Sequence, residues 1–164
     1  MRCIILKSNM RFAHGAIWGA TLGLIAMIVY WNAAPFGVTY VKDMHALRSS
    51  AAISDFTPGD RVTADRMIVR DPVYMLVRPP RRFANAVVEV DGENLTTLRL
   101  GVTHDADAKV VALWDAQAPT STTRAVYLMD LAGAQRDDNG AYRFVFSVSG
   151  NAGVRVDAVK VSFQ

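Results

Sequence analysis

The chain of 164 residues and 18.0 kDa has room for one domain of ordinary size. Its 51% apolar and 20% charged residues exclude a disordered or collagen-like polymer, and its single cysteine excludes an intramolecular disulfide. The net charge of +3 lies in Arg2, Lys7 and Arg11, because the remaining 15 basic residues are matched by 15 acidic ones. This balance argues against nucleic acid as a partner.

An apolar segment of twenty residues, 12–31, follows the basic start. The thirty residues after Arg11 include no Asp, Glu, Lys or Arg. A helix of twenty residues spans about 30 Å, the thickness of a membrane's hydrocarbon core. Tyr30 and Trp31 stand where aromatic side chains meet lipid headgroups, and basic residues stay on the cytoplasmic side. The sequence predicts a cytoplasmic tail at 1–11, a single transmembrane helix at 12–31 and an extracytoplasmic remainder.

A cleaved signal peptide is the alternative interpretation, because it too begins with basic residues and an apolar stretch. The apolar run is longer than a typical signal-peptide core. Cleavage after Ala34 would place Asn32 at the third position before the cut and Pro35 directly after it, which is a poor match to Ala-x-Ala. The anchor is favoured, and cleavage stays open.

Within the predicted span, Gly15, Gly19 and Gly23 recur every four residues. They leave one helix face without side chains, which lets two membrane helices approach closely. Glycine is also common in membrane helices, so this face has two interpretations. If it is used, the partner is a second copy or another membrane protein.

Residues 32–56 contain turn-forming residues and only a weak helical pattern. The sequence predicts a stalk here, followed by a folded domain at 57–164. In that domain apolar residues alternate with a period of two, which is typical of strands. The predicted strands are 67–70, 73–77, 86–90, 97–103, 110–116, 124–131, 142–149 and 154–163.

Turns rich in Asp, Asn and Gly separate several of these strands, as in antiparallel hairpins. About eight short strands without a long helix predict an all-β antiparallel β-sandwich. A jelly roll is the favoured form, and an immunoglobulin-like strand order is the alternative. In the last strand the apolar residues change phase, and a β-bulge near Asp157 and Ala158 would return them to one face.

The closing segment, YRFVFSVSG at 142–150 and VRVDAVKVSF at 154–163, resembles the final two strands of galactose-binding-like jelly rolls. This is the fold of many carbohydrate-binding modules. The segment DPVYMLVRPPRRF at 71–83, with the strands after it, is similar to membrane-anchored β-sandwich proteins of bacterial envelopes. The resemblance implies a jelly-roll ectodomain on a single anchor, and it carries no binding residue.

Catalytic signals are few. His104 is the one histidine of the predicted domain, and it could bind a metal with Asp105 and Asp107 or pair with a distant serine in a hydrolase. A polar loop between two strands is the favoured explanation of these three residues. There is no Gly-x-Ser-x-Gly, His-Glu-x-x-His or phosphate-binding glycine motif. We therefore expect the protein not to be an enzyme.

Ligand-binding candidates are of two kinds. Trp114 and Tyr127 are aromatic residues on which a sugar ring could stack, with core packing as the alternative. Arg78, Arg81 and Arg82 form a basic turn suited to anionic polymer or lipid headgroups, or simply to solvent.

Asp137 and Asp138 have oxygen ligands of the type that calcium prefers, although they lack the spacing of an EF-hand loop. A structural calcium is the one cofactor interpretation, and a hairpin turn is the alternative. No other cofactor is expected.

Together these patterns favour a non-catalytic binding or structural module of the cell envelope, with membrane lipid and envelope glycan as partners. The alternative function is that of a small accessory subunit, recruited to a larger membrane complex through the glycine face.

Overall fold

The computed structural model describes residues 17–30, 37–46, 51–103, 111–115, 121–149 and 153–164, with the backbone alone for 111–115. The chain divides into two units, Met1–Phe36 and Gly37–Gln164. In the first unit, residues 17–30 are helical and exposed. Among the described residues, no helix combines the length and the apolar character that crossing a membrane requires. The predicted span 12–31 extends past this helical stretch, and Gly15 lies outside the described residues.

The second unit is an antiparallel β-sandwich, which confirms the all-β prediction. The strands are β1 Val38–Asp43, β2 Met67–Ile68, β3 Val73–Val77, β4 Asn85–Glu93, β5 Leu98–Thr103, β6 Val111–Asp115, β7 Arg124–Asp130, β8 Tyr142–Val148 and β9 Val154–Phe163. Sheet A has the order β1-β9-β4-β7, with β2 also paired to β9, and sheet B has the order β3-β8-β5-β6.

The two sheets bury one apolar core between them. In strands such as β3 and β7, every second residue is buried, as a strand with one solvent face requires. Aromatic rings fill the end of the core around Phe163. Its ring centroid lies 5.4 Å from that of Phe83, 5.8 Å from that of Tyr142 and 6.3 Å from that of Phe144. These separations are typical of favourable aromatic pairs, which link sheets A and B here.

The predicted bulge in the last strand is confirmed. Asp91 of β4 pairs with Ala158, whereas Gly92 pairs with Val156, so Asp157 is the extra residue on β9. The extra residue returns the apolar side chains to the core, and Val156 and Val159 are both fully buried. Gly92 is required at this point, because a Cβ atom there would overlap the backbone carbonyl of Arg155.

The predicted stalk at 32–56 is corrected by the structure. Residues 38–43 form β1, which pairs with β9 along its whole length. Met44, Ile53 and Phe56 are core residues. The sequence pattern misses β1 because its inward positions include a charged residue, Lys42, while an outward position holds the apolar Val41.

Candidate functional site

A polar cleft opens where the loop between β7 and β8 meets the outer face of sheet B. Its volume is about 230 Å³. We call it the Arg143 cleft. Thr103 of β5 and Arg143 of β8 line it from the sheet, and the loop supplies the other residues. These are Gln135, Arg136, Asp137, Asp138 and Ala141.

The loop side of the Arg143 cleft is held in place by its own hydrogen bonds. The Asp137 carboxylate accepts the N–H groups of Asn139 at 2.9 Å and Ala141 at 2.8 Å. The Arg136 guanidinium donates to the Gly140 carbonyl and, at 2.7 Å, to the Pro79 carbonyl. The backbone of the loop is therefore fixed by the Asp137 and Arg136 side chains, a form of preorganisation that lowers the cost of binding a ligand.

Tyr74 lies beside this cleft on the same face of sheet B. The Arg143 guanidinium carbon is 5.9 Å from the centroid of the Tyr74 ring, within the range of a cation–π contact. Both residues point outward because their neighbours along β3 and β8, such as Met75 and Phe144, occupy the core. Tyr74 and Arg143 are only partly buried. The surface thus combines an aromatic ring with a guanidinium next to a polar cavity.

A second cleft, of about 320 Å³, lies on the other side of Ala141. Arg78 lines this cleft. Its backbone N–H donates to the Ala52 carbonyl at 2.7 Å, and its guanidinium donates to the Ala51 carbonyl at 3.3 Å. Its remaining lining residues are Ala51, Ala52, Ser54, Asp55 and Leu76. The two clefts share Ala141, so they form neighbouring parts of one surface.

The aromatic residues singled out from the sequence differ in their positions. Tyr127 is completely buried, and its hydroxyl donates a 2.8 Å hydrogen bond to the Leu98 carbonyl across the core. Tyr127 is therefore a packing residue, and the prediction that it binds ligand is wrong. Trp114 pairs in register with Leu100 of β5, a position on the core face of sheet B. The side chain of Trp114 lies outside the described part of the structure.

The three arginines of the predicted basic turn are not brought to one site. Arg78 lines the second cleft. The guanidinium carbon of Arg81 lies 4.9 Å from the centroid of the Phe83 ring. Arg82 is exposed and lines neither of these clefts. The turn therefore contributes one residue to the candidate surface.

Asp137 and Asp138 both border the Arg143 cleft, but they differ in what they contact. Asp137 closes the hairpin turn through the two N–H groups that its carboxylate accepts, whereas Asp138 is exposed. Within the described ranges, no group of three or more His, Cys, Asp or Glu residues is arranged to hold a metal ion. His104 lies outside those ranges.

A chain of charged groups crosses the outer face of sheet A at the β-bulge. Arg155 contacts Glu93 at 2.6 Å and Asp157 at 3.0 Å, and the His45 ring nitrogen lies 3.0 Å from Asp157. The hydrogen bond from His45, followed by that from Arg155, lowers the pKa of Asp157 below its ordinary value. Arg155 thus has two carboxylate partners, and Asp157 is contacted by both Arg155 and His45, so the network joins three parts of the chain at the bulge.

Tyr74 and Arg143 are the candidate residues that sequence reasoning missed. The alternation in β8 assigns Arg143 to the outward face, whereas the residues of β3, VYMLV, are all apolar or aromatic and do not reveal the face of Tyr74. The sequence pattern does not show that β3 and β8 are neighbours. This pairing brings the Tyr74 ring and the Arg143 guanidinium together.

Comparison of the chain with protein-family models, with curated proteins and with solved structures gives no match. The arguments for function therefore rest on the fold and on the two clefts.

Proposed function

We propose that this chain is a single-span membrane protein that displays a jelly-roll domain outside the cytoplasmic membrane, where it acts as a non-catalytic binding module for envelope glycan. The observation that carries the proposal is the outward-facing Tyr74 ring beside the Arg143 cleft. Sugars are bound by aromatic rings that cover their apolar faces and by polar groups that meet their hydroxyls. The surface offers both, since the Tyr74 ring lies 5.9 Å from the Arg143 guanidinium carbon, and Thr103, Gln135 and Asp138 border the cleft with Arg143.

The strand pairing supports the jelly-roll form of the sandwich. β1 pairs with β9, β3 with β8, β4 with β7 and β5 with β6. If the short β2 is left aside, these pairs are nested: the first strand pairs with the last, and each later strand pairs with one progressively nearer the middle of the chain. A jelly roll has this arrangement, because it is one long hairpin rolled into two sheets. An immunoglobulin-like sandwich instead pairs several strands that are consecutive in the chain. Here only β5 and β6 do so among the sheet neighbours described.

The anchor is supported by the sequence together with the helical residues 17–30. The described helix carries exposed apolar side chains, including Leu22, Ile25 and Val29. Such side chains suit contact with membrane lipid, and the basic residues of the tail suit the cytoplasmic side. The domain would then be displayed close to the glycans of the envelope.

The glycan proposal is tested with the full-length chain in detergent micelles against a panel of envelope glycans that includes peptidoglycan fragments. Arg143→Ala and Tyr74→Ala should each weaken binding about tenfold, because each removes one half of the aromatic and polar surface. Arg82→Ala is the matched control, since this exposed arginine borders neither cleft. Equal binding by all variants, or no binding to any glycan, would contradict the proposal.

A second function, that of an accessory subunit in a membrane complex, is favoured by the surface at Gly19 and Gly23. A Cβ atom added at either glycine meets no described atom within 4 Å, so this helix face is open to a partner. Capture of the full-length chain from native membranes tests it. Gly19→Ile should remove a stoichiometric partner, because a branched side chain prevents close helix contact. Thr21→Ile, on the opposite side of the helix, should retain it, and recovery of no partner with either variant counts against this function.

A further inference from the structure

Strand β7 lies at an edge of sheet A that is open among the described residues. Among the strands described, it pairs only with β4. The Gly92 N–H donates to Thr123, and the Leu131 N–H donates to Ala84. Hydrogen-bonded positions alternate along an antiparallel pair, so the odd-numbered residues of β7 bond to β4. The even-numbered residues therefore direct N–H and C=O groups to the open edge. Ser121 accepts the Arg124 N–H there, and the groups of Val126 and Leu128 lie at the centre of the edge.

The even-numbered residues of β7 form a pattern that is complementary to itself. Arg124, Val126, Leu128 and Asp130 follow one another on the outer face of sheet A. If a second copy of β7 pairs antiparallel with the first about Tyr127, Arg124 lies opposite Asp130 of the other copy. In the same register Val126 lies opposite Leu128. Opposite charges and apolar side chains placed directly across an antiparallel pair stabilise it.

We propose that this edge is a self-association surface, at which β7 of one copy pairs antiparallel with β7 of a second copy in the register centred on Tyr127. The pairing joins the two A sheets into one continuous sheet. It uses the N–H and C=O groups of Val126 and Leu128 for hydrogen bonds between the copies. The Leu128 side chain, 52% exposed in one copy, is partly covered by Val126 of the other.

The charged residues at the two ends already have contacts within the chain. Arg124 is held by Asp91 through its Nε at 2.6 Å and one Nη at 3.1 Å. Because Asp91 lies opposite Arg124 on β4, the proposed pairing places the arginine between two carboxylates, Asp91 of its own sheet and Asp130 of the second copy. Asp130 is exposed, with one carboxylate oxygen accepting the Ala132 N–H at 2.8 Å. Its other oxygen is the acceptor that we assign to Arg124 of the partner copy.

The edges at β3 and β1 fit a second copy less well than β7 does. The β3 edge is covered by the chain before it, since the Ser54 N–H donates to Leu76 at 2.8 Å and the Thr57 N–H donates to Tyr74 at 2.9 Å. On β1 the outward residues are Thr39, Val41 and Asp43. If β1 paired antiparallel with β1 of a second copy, the Asp43 carboxylate would therefore meet no outward residue of opposite charge. Complementarity therefore points to β7.

Cysteine cross-linking of the full-length chain tests the register. In a Cys3→Ser background, a Val126→Cys chain with one tag is mixed with a Leu128→Cys chain with another tag and oxidised. Directly opposite residues lie about 5.5 Å apart between Cα atoms, within disulfide range. We expect a disulfide-linked heterodimer. Val126→Cys mixed with Val41→Cys is the control, because Val41 is equally apolar and 63% exposed but lies on β1. A heterodimer yield no higher than in this control would overturn the proposal.

Charge reversal gives an independent test on the same full-length chain. Asp130→Arg should weaken self-association about tenfold, because it places two like-charged pairs across the interface. Mixing Asp130→Arg chains with Arg124→Asp chains should restore it as a heterodimer, since each pair then has opposite charges again. Association through the transmembrane segment would not respond in this way. If both single variants associate as the unmodified chain does, or if the mixture fails to restore association, the proposed pairing is wrong.

Discussion

The ammonium group of Lys42 is paired with the carboxylate of Asp55 at 2.8 Å, although the lysine is only 3% exposed and the aspartate is 54% exposed. Lys42 occupies an inward position of β1, and its aliphatic stem lies where an apolar residue would lie in a regular edge strand. The pair joins β1 to the segment that covers the β3 edge. It therefore ties both early segments of the chain into the sandwich.

Removing one member of this pair should have different consequences from removing the other. Asp55→Ala leaves a buried ammonium group without its carboxylate and should lower the free energy of unfolding by about 1–3 kcal/mol. Lys42→Met keeps the buried stem and removes the charge, so it should cost less than Asp55→Ala. Urea unfolding of both variants measures the difference. A larger loss for Lys42→Met would mean that the ion pair itself stabilises the fold.

Gly92 should tolerate no side chain. A Cβ atom at this position overlaps the Arg155 carbonyl across the β-bulge, so β4 and β9 must separate to accommodate alanine. We expect Gly92→Ala to lower the free energy of unfolding by about 2–3 kcal/mol. Gly59→Ala is the control, because a Cβ atom there meets nothing within 4 Å. Similar unfolding midpoints for the two variants would contradict this account of the bulge.

Tyr127 should contribute to stability and not to ligand binding. Its hydroxyl donates to the Leu98 carbonyl in the core, so Tyr127→Phe should cost about 1–2 kcal/mol in the free energy of unfolding. Tyr74→Phe, on the outer face, should change it by less than about 0.5 kcal/mol. Thermal unfolding, monitored by circular dichroism, compares the two variants. The prediction fails if Tyr127→Phe unfolds as the unmodified protein does.

The network at the bulge should make stability depend on acidic pH. The pKa of Asp157 is lowered in the folded chain, first by the hydrogen bond from His45, so ionised Asp157 favours the native state. This contribution is present above the ordinary aspartate pKa of about 4 and is lost as the pH falls through the lower native pKa. The difference in unfolding free energy between the unmodified chain and Asp157→Asn should therefore shrink below about pH 4.

The same network can be tested at its second member. In a His45→Ala chain the hydrogen bond that contributes first to the lowered pKa of Asp157 is absent, so this pKa should rise towards its ordinary value. Titration of the Asp157 carboxylate by nuclear magnetic resonance measures this shift. An unchanged titration would leave Arg155 as the group that lowers the pKa.

Much of the sandwich was predictable, because strand alternation reports directly on which residues face a core. The bulge at Asp157 follows from the same logic, since a change of phase within one strand requires an extra residue. β1 was not predictable in this way. Its inward Lys42 and outward Val41 invert the usual alternation, and the lysine is accommodated only because Asp55 lies within reach.

The candidate site depended still more on tertiary structure. An aromatic residue in an alternating strand is a core residue or a surface residue according to the face on which it lies. Tyr127 lies on the core face, where its hydroxyl finds a carbonyl, and Tyr74 lies on the outer face beside Arg143. Sequence position could not separate the two, because both lie in apolar runs.

By itself the sequence determined the all-β class, the balanced charge of everything after Arg11 and the phase of the most regular strands, because these properties are local to a few residues. The tertiary structure decided which strands are neighbours and which edges stay open. That decision placed Arg143 beside Tyr74 and left β7 with only β4 among the described strands. Pairing between strands far apart in the chain depends on how the whole core is filled, and no local pattern contains that information.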